Sequence, residues 1–155
     1  MPDAQDVRRA LLDFLGEERY RKFVKQGVRS ARLRYWQETA WIRFTSAHPK
    51  FNVDIGELAS ILHVCHLHGE VLQPDLAKIF RGCIDYSPSY VEILVRQFPH
   101  AALDALSSEG RPVGSDVVQV WYCPKCREAY SAWHAKHSRA GDISGAATPK
   151  SQSVD

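Results

Sequence analysis

The sequence lacks any apolar run near the ~18–20 residues that a membrane span requires. Its first residues, Met-Pro-Asp-Ala-Gln-Asp, also lack the basic and apolar segments of a secretory leader. These two absences point to an intracellular, reducing setting, and the cytoplasm is the expected location. Cysteine is scarce, with four in 155 residues. A chain of this length can bury a sufficient core without disulfides, so the four thiols read as metal ligands or buried spectators rather than a disulfide framework. No internal repeat is present, which excludes solenoid and propeller architectures. Between Arg19 and Lys50 acidic residues are almost missing: nine Lys or Arg accompany the single acid Glu38.

The charge is polarised along the whole chain. Residues 1–50 hold eleven basic and six acidic residues (+5), residues 51–110 three and eight (−5), and residues 111–155 six and four (+2). Such asymmetry hints at an acidic partner. Within the basic stretch, Tyr20, Phe23, Tyr35, Trp36, Trp41 and Phe44 are interleaved with Arg29, Arg32, Arg34 and Arg43. Basic side chains with stacking aromatics fit nucleic acid. The same pattern fits two helices whose aromatics form a core face and whose cations are solvated. It also fits a basic segment that pairs with acidic residues 54–109 of the same chain, or docks an acidic protein.

Apolar spacing predicts helix over 4–25, with Gly16 able to split it and Gly27 a stop. Ser30 is the expected cap of a second helix reaching about Ala47, ended by His48-Pro49. Asp54 and Glu57 have the spacing of a capping box, which predicts a short helix through Leu62. Val71–Leu72 and Leu76–Phe80 read as strands, separated by a turn at Pro74-Asp75. Ser87-Pro88 opens a helix from Ser89 to about Phe98. Residues 105–115 read as a loop, Val117–Tyr122 as a strand and Arg127–His137 as a helix. A disordered tail is expected over 138–155.

The sharpest signal is a pair of short motifs. Cys65-His66-Leu67-His68-Gly69 is C-x2-H followed by Gly, and Cys123-Pro124-Lys125-Cys126 is C-P-x-C. Zinc takes four N or S donors in a tetrahedron, and a two-residue gap lets the chain wrap one corner of it. Gly69 relieves the tight turn because it tolerates positive φ. Cys65, His68, Cys123 and Cys126 are therefore the expected ligands of one structural Zn2+. Three thiolates and no open position suit structure better than Lewis-acid catalysis.

The order of these parts (a knuckle, strand-like sequence, then a ligand pair opening a helix) resembles the treble-clef group of zinc folds over residues 65–80 and 116–137. The C-x2-H-G segment with the later Tyr-Cys-Pro-x-Cys-Arg segment is also similar to small bacterial proteins that carry both, a resemblance that brings no activity with it. The treble-clef likeness includes His-metal nucleases, for which His134 and His137 sit on the matching element; nothing on the hairpin completes such a site.

Other readings compete for the same residues. A redox C-x2-C needs a thioredoxin-like frame that is absent here. Zinc held by Cys123, Cys126, His134 and His137 leaves Cys65 unexplained. The four residues could also be unrelated, with buried cysteines and a surface histidine. Cys83 reads as a small buried hydrophobe, since no basic helper for a nucleophile is identifiable.

The expected fold class is α+β, with N-terminal helices packed on a zinc-stapled β-hairpin and C-terminal helix. One domain over 1–137 is expected, with a helical part (1–62) and a zinc-bound part (63–137). The expected role is non-catalytic: a zinc-stabilised module that binds another macromolecule, protein first and nucleic acid as the alternative, without membrane contact.

Overall fold

The computed structural model describes residues 1–80, 86–102, 106–107 and 116–138 of the protein. Cys83, most of the 105–115 stretch and the tail after Ser138 lie outside the described residues. The fold is α+β, and the chain forms two units, Met1–Val71 and Leu72–Asp155. The boundary falls after the Cys65–Gly69 segment, which the expected division at residues 62–63 assigns to the second part.

In the first unit, α1 (Ala4–Leu15) starts at Asp3, whose carboxylate accepts the backbone N–H of Gln5 and Asp6. Gly16, at φ 79°, ends α1 and lets α2 (Glu17–Gln26) begin at once, as its position in the sequence predicts. Gly27 closes α2 at φ 54°. The next helix departs from expectation. Ser30 and Ala31 hold left-handed conformations in a tight turn, closed by reciprocal 3.0 Å hydrogen bonds between Arg29 and Arg32. Ser30 is therefore a turn residue, not a cap, and α3 runs from Tyr35 to Ala47. A single turn (Pro49–Phe51) and α4 (Ile55–Ile61) follow, the latter with the expected Asp54–Glu57 box.

These helices enclose one apolar core, with Val7 and Leu11 of α1, Phe23 of α2, Phe44 of α3 and Leu58 of α4 fully buried. The buried aromatics settle part of the ambiguity in the basic stretch. Phe23, Trp41 and Phe44 are core, while Tyr35 is 86% exposed.

One polar side chain is buried among them. Gln37 Nε2 donates to the carbonyls of Phe23 and Gly27 (3.0 and 3.2 Å), and its Oε1 accepts the N–H of Arg34 (3.0 Å). It thus caps α3 and ties it to the end of α2. Replacing Gln37 by Ala strands buried groups that lose their partner, at about 1–3 kcal/mol. Urea unfolding should show that loss; a change under about 0.5 kcal/mol would mean that water serves these groups equally well.

In the second unit, β1 (Gln73–Phe80) pairs antiparallel with β3 (Val117–Tyr122), from Gln73↔Tyr122 to Lys78↔Val117. A two-residue strand β2 (Leu106–Ser107), inside the expected loop, lies parallel to Ile79–Phe80 on the other edge of β1. Pro74 and Asp75 are strand residues, not a turn. Pro74 is accommodated because β2 reaches only Ile79 and Phe80, so no ladder partner needs its missing N–H. Helix α5 (Pro88–Gln97) starts at Ser87, whose hydroxyl accepts the N–H of Tyr90. Helix α6 (Pro124–Ser138) begins earlier than its apolar pattern predicts. An aromatic layer joins α5 to α6: the hydroxyls of Tyr90 and Tyr130 are 3.0 Å apart, and Phe98 meets Tyr130 edge-on at 5.7 Å. Burial, then the Tyr130 hydroxyl, raises the pKa of Tyr90 far above the ordinary phenol value.

Candidate metal centre

The first half of the centre is a small closed loop. Val64 and Val71 form an isolated antiparallel bridge at its mouth, and Cys65 N–H donates to Glu70 O at 2.8 Å. Gly69 N–H returns to Cys65 O, also at 2.8 Å. Gly69 takes φ 69°, and a Cβ there would meet nothing within 4 Å. Its requirement is thus backbone conformation, not space. The turn holds Cys65 buried and His68 half-buried.

The second half follows β3. Cys123 N–H donates to His100 O (2.8 Å), and Cys123 O accepts the N–H of Arg127 (3.1 Å). Cys123 is therefore the residue at which α6 starts. Pro124 takes the first helical position, where a missing N–H costs nothing. Cys126 falls in the first turn, so both thiols sit at the positive end of the helix dipole. Both are fully buried.

Arg127 braces this corner. Its guanidinium donates to Ala101 O (2.9 Å), Ala102 O (3.3 Å) and Asp75 Oδ2 (2.7 Å), and it lies 3.6 Å from the Tyr122 ring centroid. The Arg127 hydrogen bond, then the Leu76 N–H, holds the Asp75 carboxyl below its usual pKa. The contact's contribution is thus present above the ordinary carboxylate range and is lost as pH falls through the lowered value. Sequence reasoning missed this role because two of the partners are backbone carbonyls 25 and 26 residues away.

The ligand atoms of Cys65, His68, Cys123 and Cys126 all lie within 4.8 Å of one another. The Cys65 Sγ to His68 Nδ1 distance is 3.6 Å. In a tetrahedron with Zn–S about 2.3 Å and Zn–N about 2.0–2.1 Å, an S···N edge measures about 3.6 Å. The donor set and this edge fit a metal ion. No known protein family, curated protein or solved structure matches the chain. Three cysteine sulfurs and one imidazole nitrogen make a donor set that can hold a metal ion.

The rival ligands are placed otherwise. His137 Nδ1–H donates to Trp133 O (2.8 Å), and its ring stacks on Trp133 at 4.5 Å. The His134 ring lies 5.7 Å from that of Tyr130. Neither belongs to the cluster, and among the described residues no other group of His, Cys, Asp or Glu has a metal-binding arrangement.

The four arginines singled out in the basic stretch are all exposed. Arg29 and Arg32 flank the tight turn, and Arg34 precedes α3. Arg32 lines a cleft with Glu38, Trp41 and Ile55, whereas Arg43 lines a different one with Arg19, Tyr35 and Trp36.

Proposed function

We propose that the chain is a small, non-catalytic, zinc-stabilised module that binds another macromolecule, a protein, through a surface outside the metal centre. The observation that carries this reading is the gathering of three thiols and one imidazole within 4.8 Å. Four such donors saturate a tetrahedral ion and leave no position for water or substrate, so the metal's work is structural. The antiparallel β1–β3 ladder, followed by Cys-Pro-x-Cys at the start of α6, supports a treble-clef arrangement of this unit. A reducing compartment such as the cytoplasm keeps the thiolates available to the ion. Among the described residues no helix is long and apolar enough to cross a membrane.

The alternative partner is nucleic acid, favoured by the exposure of Arg29, Arg32, Arg34 and Arg43. Opposing it, Phe23, Trp41 and Phe44 are buried and cannot stack on bases. Titration of zinc-loaded protein with DNA and RNA over a range of salt separates the two. The protein-binding reading expects no complex at low salt, or one that Arg29→Ala, Arg32→Ala and Arg34→Ala together leave intact. Binding that falls with a slope near 0.7–0.9 per phosphate contact, and vanishes in that still-folded variant, would replace it with nucleic-acid recognition.

A further inference from the structure

The arginines of the first unit fall into two groups. Arg21 is paired with Glu17 at 2.6 Å, and Arg8 donates to Ile61 O. Arg19 and Arg43 have no ion pair or hydrogen bond among the described residues, and they line one cleft of about 350 Å³. The floor and walls of that cleft are apolar: Phe14, Leu15, Trp36 and Ala40. Its aromatic side is held rigidly. Trp36 Nε1–H donates to Gln26 Oε1 at 2.7 Å and the indole meets Phe23 edge-on at 5.6 Å, while Phe14 packs against Phe44 at 5.7 Å. Tyr35, almost wholly exposed, stands at the rim. Two uncompensated guanidinium groups beside a preformed aromatic surface select an anion joined to an apolar group.

The surroundings decide which anion. A neighbouring cleft carries Asp13 and Glu17, and a third carries Glu38 beside Arg32. Arg19 and Arg43 are the two basic residues that line the cleft, which suits a short segment with one or two negative charges rather than a run of phosphates. We propose that the cleft framed by Arg19, Tyr35, Trp36 and Arg43 docks an acidic peptide segment of a partner protein. That segment sets a large apolar side chain against Trp36 and Phe14 and neighbouring carboxylates against the two arginines. The inference rests on the binding-module reading and gives the partner its chemistry.

An array of short peptides tests it, each with central Phe, Leu or Ser flanked by Glu, Gln or Lys, probed with the full-length zinc-loaded protein. Glu-flanked Phe and Leu peptides should be retained about tenfold more strongly than Gln-flanked ones. Arg19→Glu with Arg43→Glu should invert the preference toward Lys flanks, and the milder Arg43→Gln should weaken Glu selectivity alone. Equal retention of Glu- and Gln-flanked peptides overturns the proposal. So does displacement by single-stranded oligonucleotide, or by free phenylacetate as effectively as by the peptide. Peptides that bind but ignore the charge reversal leave the binding-module reading standing and remove this cleft from it. Silence across the array overturns the cleft alone, since the module reading has its own salt titration.

Discussion

Replacing Cys126 by Ala should yield a protein that no longer retains a metal ion and that melts about 5–16 °C below the parent. Structural zinc supplies roughly 10–16 kcal/mol in small peptide folds. Even a quarter of that, at about 2–4 °C per kcal/mol for chains of this size, gives a shift of that order. Cys65→Ala and Cys123→Ala should behave alike, because loss of any one cysteine leaves three of the four clustered donors. The double variant should lose little more metal affinity than either single one. Acidification should release the ion, since protons compete for the same donors. Metal analysis of the purified parent should find about one zinc per chain, and its absence would remove the site. His134→Ala and His137→Ala should keep the metal; its loss there would restore the rival ligand set.

Phe44→Ala should cost about 3–5 kcal/mol in urea unfolding, the range for a large aromatic removed from a filled core. Phe44 is fully buried and central. Its ring stacks parallel on Phe51 at 5.9 Å and contacts Phe14, Trp41 and His48 at 5.2–5.7 Å. No single neighbour can swing in without breaking its own contacts, so the cavity persists. Phe44→Leu keeps most of the volume and should cost roughly 1–2 kcal/mol. Equal losses for the two substitutions would show that the ring's shape, not its volume, is what the core uses.

What was legible in the sequence was local. The α1–α2 pair could be read because a one-sided apolar pattern is interrupted by Gly16 and Gly27, residues that take positive φ without strain. The Asp54–Glu57 box and the four candidate ligands could be read because each signal spans four residues. The start of α3 could not. Ser30 and Ala31 adopt left-handed backbone at a cost that only the Arg29–Arg32 hydrogen bonds and the surrounding packing offset, while the helix is capped by a glutamine from inside it. The full length of β1 was also hidden, since its partner begins some forty residues further on. The same holds for the Tyr90–Tyr130 contact, which joins residues 40 apart. Arg19 and Arg21 look alike in sequence, yet Arg21 is paired with Glu17 while Arg19 joins Arg43 in a cleft.

The proline inside β1 has a consequence for the molecule at high concentration. Pro74 lies opposite Trp121, and since it has no N–H, its backbone position faces away from β3. By the alternation of an antiparallel ladder, Leu76 and Lys78 face the same way. On that edge Pro74 offers no donor, the N–H of Leu76 is already taken by Asp75 Oδ1 at 2.8 Å, and Lys78 brings a charge. A strand from a second molecule seeking to extend the sheet finds little to bond and a cation to desolvate. Beyond the two residues paired with β2, the edge is blunted against intermolecular β-pairing, the first step toward fibrous aggregates, by its own backbone and side chains.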